Sequence, residues 1–262
     1  MRGAVRGVRG FVRLAAGCGV MLAGTGIAGA QTSDLVTDRP DSTESATVVG
    51  RGLVQVETGY LFASTDDVGG YEVPGTLVRV GLGGRTELRL GHGGVVGSEG
   101  RHGWSDSTLG IKVNLIEQAD GWRPELAVLG GLSLPTGETG FSSDGVDPSF
   151  LVVFAHEVSE RVSVGYNLGA AWESSPEQAD RDAAVVYSLA VGIGLTERLG
   201  TFVELFGDQP AREQIDAGLS LDGGFTVLLT PLVQLDVFVG TGLHGSVDDV
   251  FVGTGLSFRL PR

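Results

Sequence analysis

Twelve stretches of this chain alternate apolar and polar residues with a period of two. In residues 54–62, Val54, Val56, Thr58, Tyr60 and Phe62 alternate with Gln55, Glu57 and Gly59. The pattern returns in 78–82, 88–90, 109–115, 126–134, 162–172, 185–195, 215–221, 233–239 and 250–258. Segments 150–158 and 201–207 are less regular, but their β-branched and aromatic content also reads as strand. Successive side chains of a strand point to opposite faces, so each stretch has one apolar and one polar side.

The connections fall into two sets. Segments 64–75, 92–105, 135–147, 173–182, 208–213 and 244–248 are mostly long and polar. Segments 83–85, 159–161, 196–200 and 230–232 are short, and 116–122 is the longest of this second set. Long and short turns in alternation are the plan of a bacterial outer-membrane barrel, whose strands need only about ten alternating residues each. A soluble sandwich or jelly roll also alternates. Three features favour the membrane. Strand glycines sit on the polar face. Tyr60, Phe62, Trp172, Tyr187 and Phe258 lie on the apolar face near strand ends, as an interfacial girdle requires. The chain also ends in an alternating strand. The expected fold is all-β: a single antiparallel up-and-down transmembrane β-barrel of about twelve strands, spanning 51–262.

Residues 1–30 read as a signal peptide. Arg2, Arg6, Arg9 and Arg13 precede an uncharged stretch that ends Ala28-Gly29-Ala30. Cys18, the one cysteine, lies in it. Four of the 18 basic residues and none of the 32 acidic ones fall there, so cleavage makes an acidic chain more acidic. That balance argues against a nucleic-acid partner. Glycine, at 44 of 262 residues, is far below the one-third of a collagen.

If the apolar face meets lipid, the polar face lines the lumen. Glu57, Arg79, Glu87, Arg89, Lys112, Glu125 and Arg259 then lie on adjoining strands, with Glu204, Asp216 and Asp236 on the far wall. Two readings stand: a ladder of cross-strand ion pairs stiffening the wall, or a charged constriction with a transverse field. Leu129, Leu151, Val153, Phe202, Phe206, Phe238 and Phe251 share the inward parity. They read either as packing against a plug or as an apolar track for a hydrophobic solute. No catalytic set emerges: there is no Gly-x-Ser-x-Gly elbow, and His92, His102, His156 and His244 fall in no recognisable arrangement. The reading calls for no cofactor and no metal ion.

Several motifs in order resemble one bacterial outer-membrane family, labelled for the meta-pathway of phenol degradation or simply as transporters. Thr37-Asp38-Arg39-Pro40-Asp41-Ser42-Thr43-Glu44 is similar to the segment that opens its mature chains. Arg79-Val80-Gly81-Leu82 with Glu87-Leu88-Arg89, Asp106 with Leu109-Gly110-Ile111-Lys112, and Leu134-Pro135-Thr136-Gly137 resemble later elements. So do Asn167-Leu168-Gly169, Phe202-Val203-Glu204 and Gln234-Leu235-Asp236. Val80 stands where the family usually has an aromatic residue. The resemblance implies passage of small solutes, hydrophobic or aromatic ones included, by diffusion through a partly occluded lumen. A structural or adhesive barrel with a closed lumen is the alternative, and a barrel hydrolase the third reading. The surroundings would be outer-membrane lipid and lipopolysaccharide, with barrel-assembly machinery as the inserting partner. Segment 31–50 is either a periplasmic leader or a lumen plug in which Asp38, Arg39, Asp41 and Glu44 pair with wall charges.

Overall fold

The computed structural model describes residues 35–119, 122–175, 178–212 and 215–260. The expected signal peptide and Cys18 lie outside them. The strands are β1 (Val54–Thr65), β2 (Val68–Gly81), β3 (Thr86–His92), β4 (Val95–Ser98), β5 (Arg101–Trp104), β6 (Ser107–Ile116) and β7 (Glu125–Leu134). They continue as β8 (Asp147–Ser159), β9 (Val162–Ser175), β10 (Gln178–Gly194), β11 (Leu199–Pro210), β12 (Gly218–Thr230), β13 (Val233–His244) and β14 (Val250–Arg259).

Each strand pairs antiparallel with its neighbours, and β1 pairs with both β2 and β14. The sheet therefore closes into a barrel of twelve strands, with β4 and β5 as an added hairpin on the upper half of β2. Closure gives every strand of the barrel two partners, which is what lets a sheet cross lipid without bare backbone edges. Burial alternates as the sequence pattern requires. In β14, Phe251, Gly253, Gly255, Ser257 and Arg259 are buried, whereas Val250, Val252 and Thr254 are exposed. Leu82, Ile111, Leu168, Val203 and Val239 cover the outside, apolar and exposed, as a lipid-facing surface should be. Val80 also lies on this outward parity of β2, so the residue that departs from the family pattern does not face the lumen.

The structure corrects the expected loops at three places. Segment 64–75 is mostly strand: β1 and β2 meet at a two-residue turn in which Asp66 (φ 50°) and Asp67 (φ 65°) both take the left-handed conformation. Such a turn matches the twist of the strands it joins. Segment 92–105 contains the β4–β5 hairpin. In 173–182 the strands also run on, past a register shift between Gln178 and Asp182.

Candidate functional site: the barrel interior

An eight-stranded barrel is filled by its own side chains, and one of sixteen strands leaves a channel. Twelve strands lie between, so the interior must be partly filled or open. Here the segment before β1 occupies it. The chain turns at Gly50–Leu53, where Leu53 N–H donates to Gly50 O at 3.0 Å and Gly52 has φ 73°. The turn presses so closely on β2 that any Cβ at Gly81 would collide with the Gly50 carbonyl. Leu35, Val36, Thr37, Asp38, Asp41, Thr43, Glu44, Ala46 and Val49 are then all buried.

One side of this leader is held by charge. Asp38 forms ion pairs with Arg79 (3.0 Å), Lys112 (2.9 Å) and Arg89. Glu44 forms ion pairs with Arg89 at 2.8 Å and Lys112 at 2.7 Å. Arg79 also pairs with Glu57 (3.0 Å) and Glu87 (2.9 Å), and Arg89 with Glu87 at 2.9 Å. The leader backbone joins in. Asp38 N–H donates to Glu57 (2.8 Å) and Val49 N–H to Glu87 (2.7 Å). Thr47 O accepts from Arg79 and Ser45 O from Lys112, each at 2.9 Å. Gln55 and Asn114 donate to Val36 O (2.8 Å) and Ala46 O (3.1 Å).

Four carboxyls meet three cations in this cluster, so one shared proton would balance it. Burial pushes the Glu44 carboxyl up to about 7, against the pull of Arg89. Burial also pushes Asp38 upward, but Arg79, Lys112 and Arg89 outweigh it and hold that carboxyl well below the ordinary range.

The opposite wall holds the leader more lightly. Arg39 reaches Asp236 at 3.2 and 3.4 Å. Its guanidinium lies over two glycines: a Cβ at Gly59 would fall 2.5 Å from Nη2, and one at Gly255 would collide as well. Glu204 accepts from Ser42 N–H at 2.6 Å and from the Thr43 hydroxyl, which also meets Ser188 at 2.9 Å. Gln234 donates to Thr37 Oγ1 at 2.9 Å.

The inward apolar residues divide into two groups. Leu129, Leu151 and Val153 pack with Ala127 and with Ala46 of the leader. Phe202, Phe238 and Phe251 cluster with Ala63, and Phe206 and Leu61 pack against them. Register explains the second group. Phe238 pairs with Gly253, and Gly240 with Phe251, so each ring lies over a neighbouring strand's glycine. Phe202 likewise pairs with Gly224. Phe251 meets Phe206 at 6.0 Å and 65°, and Phe238 at 6.4 Å and 58°, within the range of favourable edge-to-face contacts. A side chain at Gly240 has no room beside the Phe251 ring. Gly240→Val should therefore cost about 1–3 kcal/mol of stability by overpacking, read from urea unfolding of the refolded barrel; an unchanged midpoint would mean the ring does not rest there.

Most expected lumen residues are buried on the interior face, but not all as read. Asp216 is corrected: it precedes β12, which begins at Gly218, and it is exposed. Asp222, further along the same parity, is the buried carboxyl and pairs in register with Glu204. Arg259 bonds Gln55 at 2.8 Å, and Glu125 accepts from Asn114 at 2.6 Å. A reading confined to charged residues passed over these amides, although all lie on the polar face. Asp41 is buried within the leader. At the outer end, Asp106 accepts from Gly137 N–H (2.8 Å) and Ser143 N–H (2.9 Å), which ties the Leu134-Pro135-Thr136-Gly137 motif to β6.

A family model matches residues 37–260, from the leader to the final strand. The chain belongs to that family, described as "Putative MetA-pathway of phenol degradation". Solved structures show the same barrel. An outer-membrane channel from Pseudomonas putida F1 is 14% identical with a TM-score of 0.65, over 81% of this chain and 97% of that one. The NanC porin is 13% identical with a TM-score of 0.55, over 79% and 100%. The KdgM porin is 10% identical with a TM-score of 0.53, over 78% and 98%. No curated protein matches the sequence significantly.

Proposed function

We propose that this chain is an outer-membrane channel for small solutes, hydrophobic or aromatic ones included, which cross by diffusion through a lumen that its own leader occludes. The observation that carries this reading is the phenylalanine cluster. Phe202, Phe238 and Phe251 are buried inside a barrel whose outer surface is already apolar. The cluster gives the interior an apolar strip that a hydrophobic solute can follow. Membership of the family supports the same reading, and the channel and porin names of the structural relatives agree with transport rather than catalysis. The acidic outer loops would lie among lipopolysaccharide, and insertion would fall to barrel-assembly machinery.

The test is single-channel current of the refolded protein in planar bilayers, with phenol added as a blocker. Steady openings that phenol interrupts are expected. Phe251→Ala should weaken the block about 10-fold, the worth of one aromatic contact. The closed structural barrel is the second reading, favoured by how completely the Arg79 cluster is paired. A folded barrel without openings would select it.

A further inference from the structure

We propose that the leader stays moored to β2, β3 and β6 while solute passes on its other side, along β11 to β14, through a gap that opens when Arg39 releases Asp236. This rests on the channel reading above and gives it a route.

The two sides of the leader are held unequally. On the moored side, the side chains of Asp38, Arg79 and Lys112 are fully buried and each has several charged partners. On the other side, Arg39 keeps 20% of its side chain exposed and pairs with Asp236. It rests on Gly59 and Gly255, which offer no side chain to grip it. Ser42 and Thr43 add hydrogen bonds to Glu204 and Ser188, and Thr37 Oγ1 accepts one from Gln234.

The light side is also the apolar side. Phe238 lies two residues outward from Asp236 on the same face of β13, and its ring covers Gly253, the next inward glycine after Gly255. The phenylalanine cluster thus ends at the Arg39–Asp236 contact. Glu204, Asp222 and Asp236 face the gap, so the solute it admits has an apolar body and no negative charge.

Two engineered disulfides test the route. The chain has no cysteine beyond Cys18, so each pair is alone when the refolded protein is made without residues 1–30. Thr43→Cys with Ser188→Cys replaces hydroxyls 2.9 Å apart and pins the leader to β10, at the border of the light side, where Thr43 also meets Glu204 of β11. Ala46→Cys with Ala127→Cys pins the moored side, within one apolar cluster. Thiol titration verifies each bond, and bilayer current in a potassium chloride gradient is the readout. The first pair should silence the channel when oxidised and recover with reductant. The second should conduct like the wild type, with cation preference. Asp236→Asn needs no crosslink and should raise the open fraction severalfold.

The proposal is overturned if the pattern of the two disulfides reverses, if both silence the channel, or if the oxidised first pair conducts like its reduced form. Wild-type behaviour of Asp236→Asn overturns the part given to Arg39. Silence of every protein, Asp236→Asn included, removes the channel reading itself.

Discussion

Deleting residues 38–44 should raise single-channel conductance severalfold and move ion selectivity toward anions. The deletion removes Asp38 and Glu44, which neutralise Arg79, Arg89 and Lys112. It also removes Arg39 and Thr43, which reach the opposite wall. Three wall cations then face the wall carboxyls Glu57, Glu87 and Glu125, across a lumen no longer crossed by chain. The two readouts are independent: conductance reports width, and reversal potential in a salt gradient reports charge. Heat-modifiable mobility on a gel checks that the barrel has formed. Asp38→Asn is the milder companion, expected to shift selectivity in the same direction with a smaller rise in conductance. A folded deletion variant with unchanged conductance would sink the plug.

The largest loss of stability should come from Arg79→Met. The guanidinium is fully buried and holds Asp38, Glu57 and Glu87 together at 2.9–3.0 Å. It also donates to the carbonyls of Val36 (3.3 Å) and Thr47 (2.9 Å). Removing one partner of a buried ion pair leaves uncompensated charge and typically costs about 3–5 kcal/mol. Arg79→Lys keeps the charge but not the planar fork, so it should recover only part of the loss. The Arg85–Glu117 pair, also 3.0 Å long, is the control, because its side chains are 54% and 62% exposed. Arg85→Ala should cost at most about 1 kcal/mol. Urea unfolding in detergent measures all three. Equal small losses at Arg79 and Arg85 would mean that the buried cluster does not form.

Much of this was legible in the sequence. The period of two located the barrel strands and told the inner face from the outer one, because a one-residue slip would turn every side chain over. The run 37–44 stood out as charged, patterned and outside any strand. What escaped was set by partners distant in the chain. Strands β1 and β2 run on because Asp66 and Asp67 accept positive φ, so a polar stretch became a hairpin tip. The β4–β5 hairpin hides in a glycine-rich stretch, with positive φ at Gly94, Glu99 and Gly100. Asp222 falls one residue beyond the expected strand 215–221, although the alternation continues into it. The match of Phe238 and Phe251 to Gly253 and Gly240 depends on register, which no single segment contains.

The position of the leader also ties the filling of the barrel to its seam. Its segment directly precedes β1, and the seam between β1 and β14 joins residues such as Gln55 and Arg259, 204 positions apart. With the leader in place Arg79 and Lys112 are fully enclosed. The stopper and the stave at the seam are one continuous stretch of chain, so the charges it covers and the joint beside it share a single short turn at Gly50–Leu53.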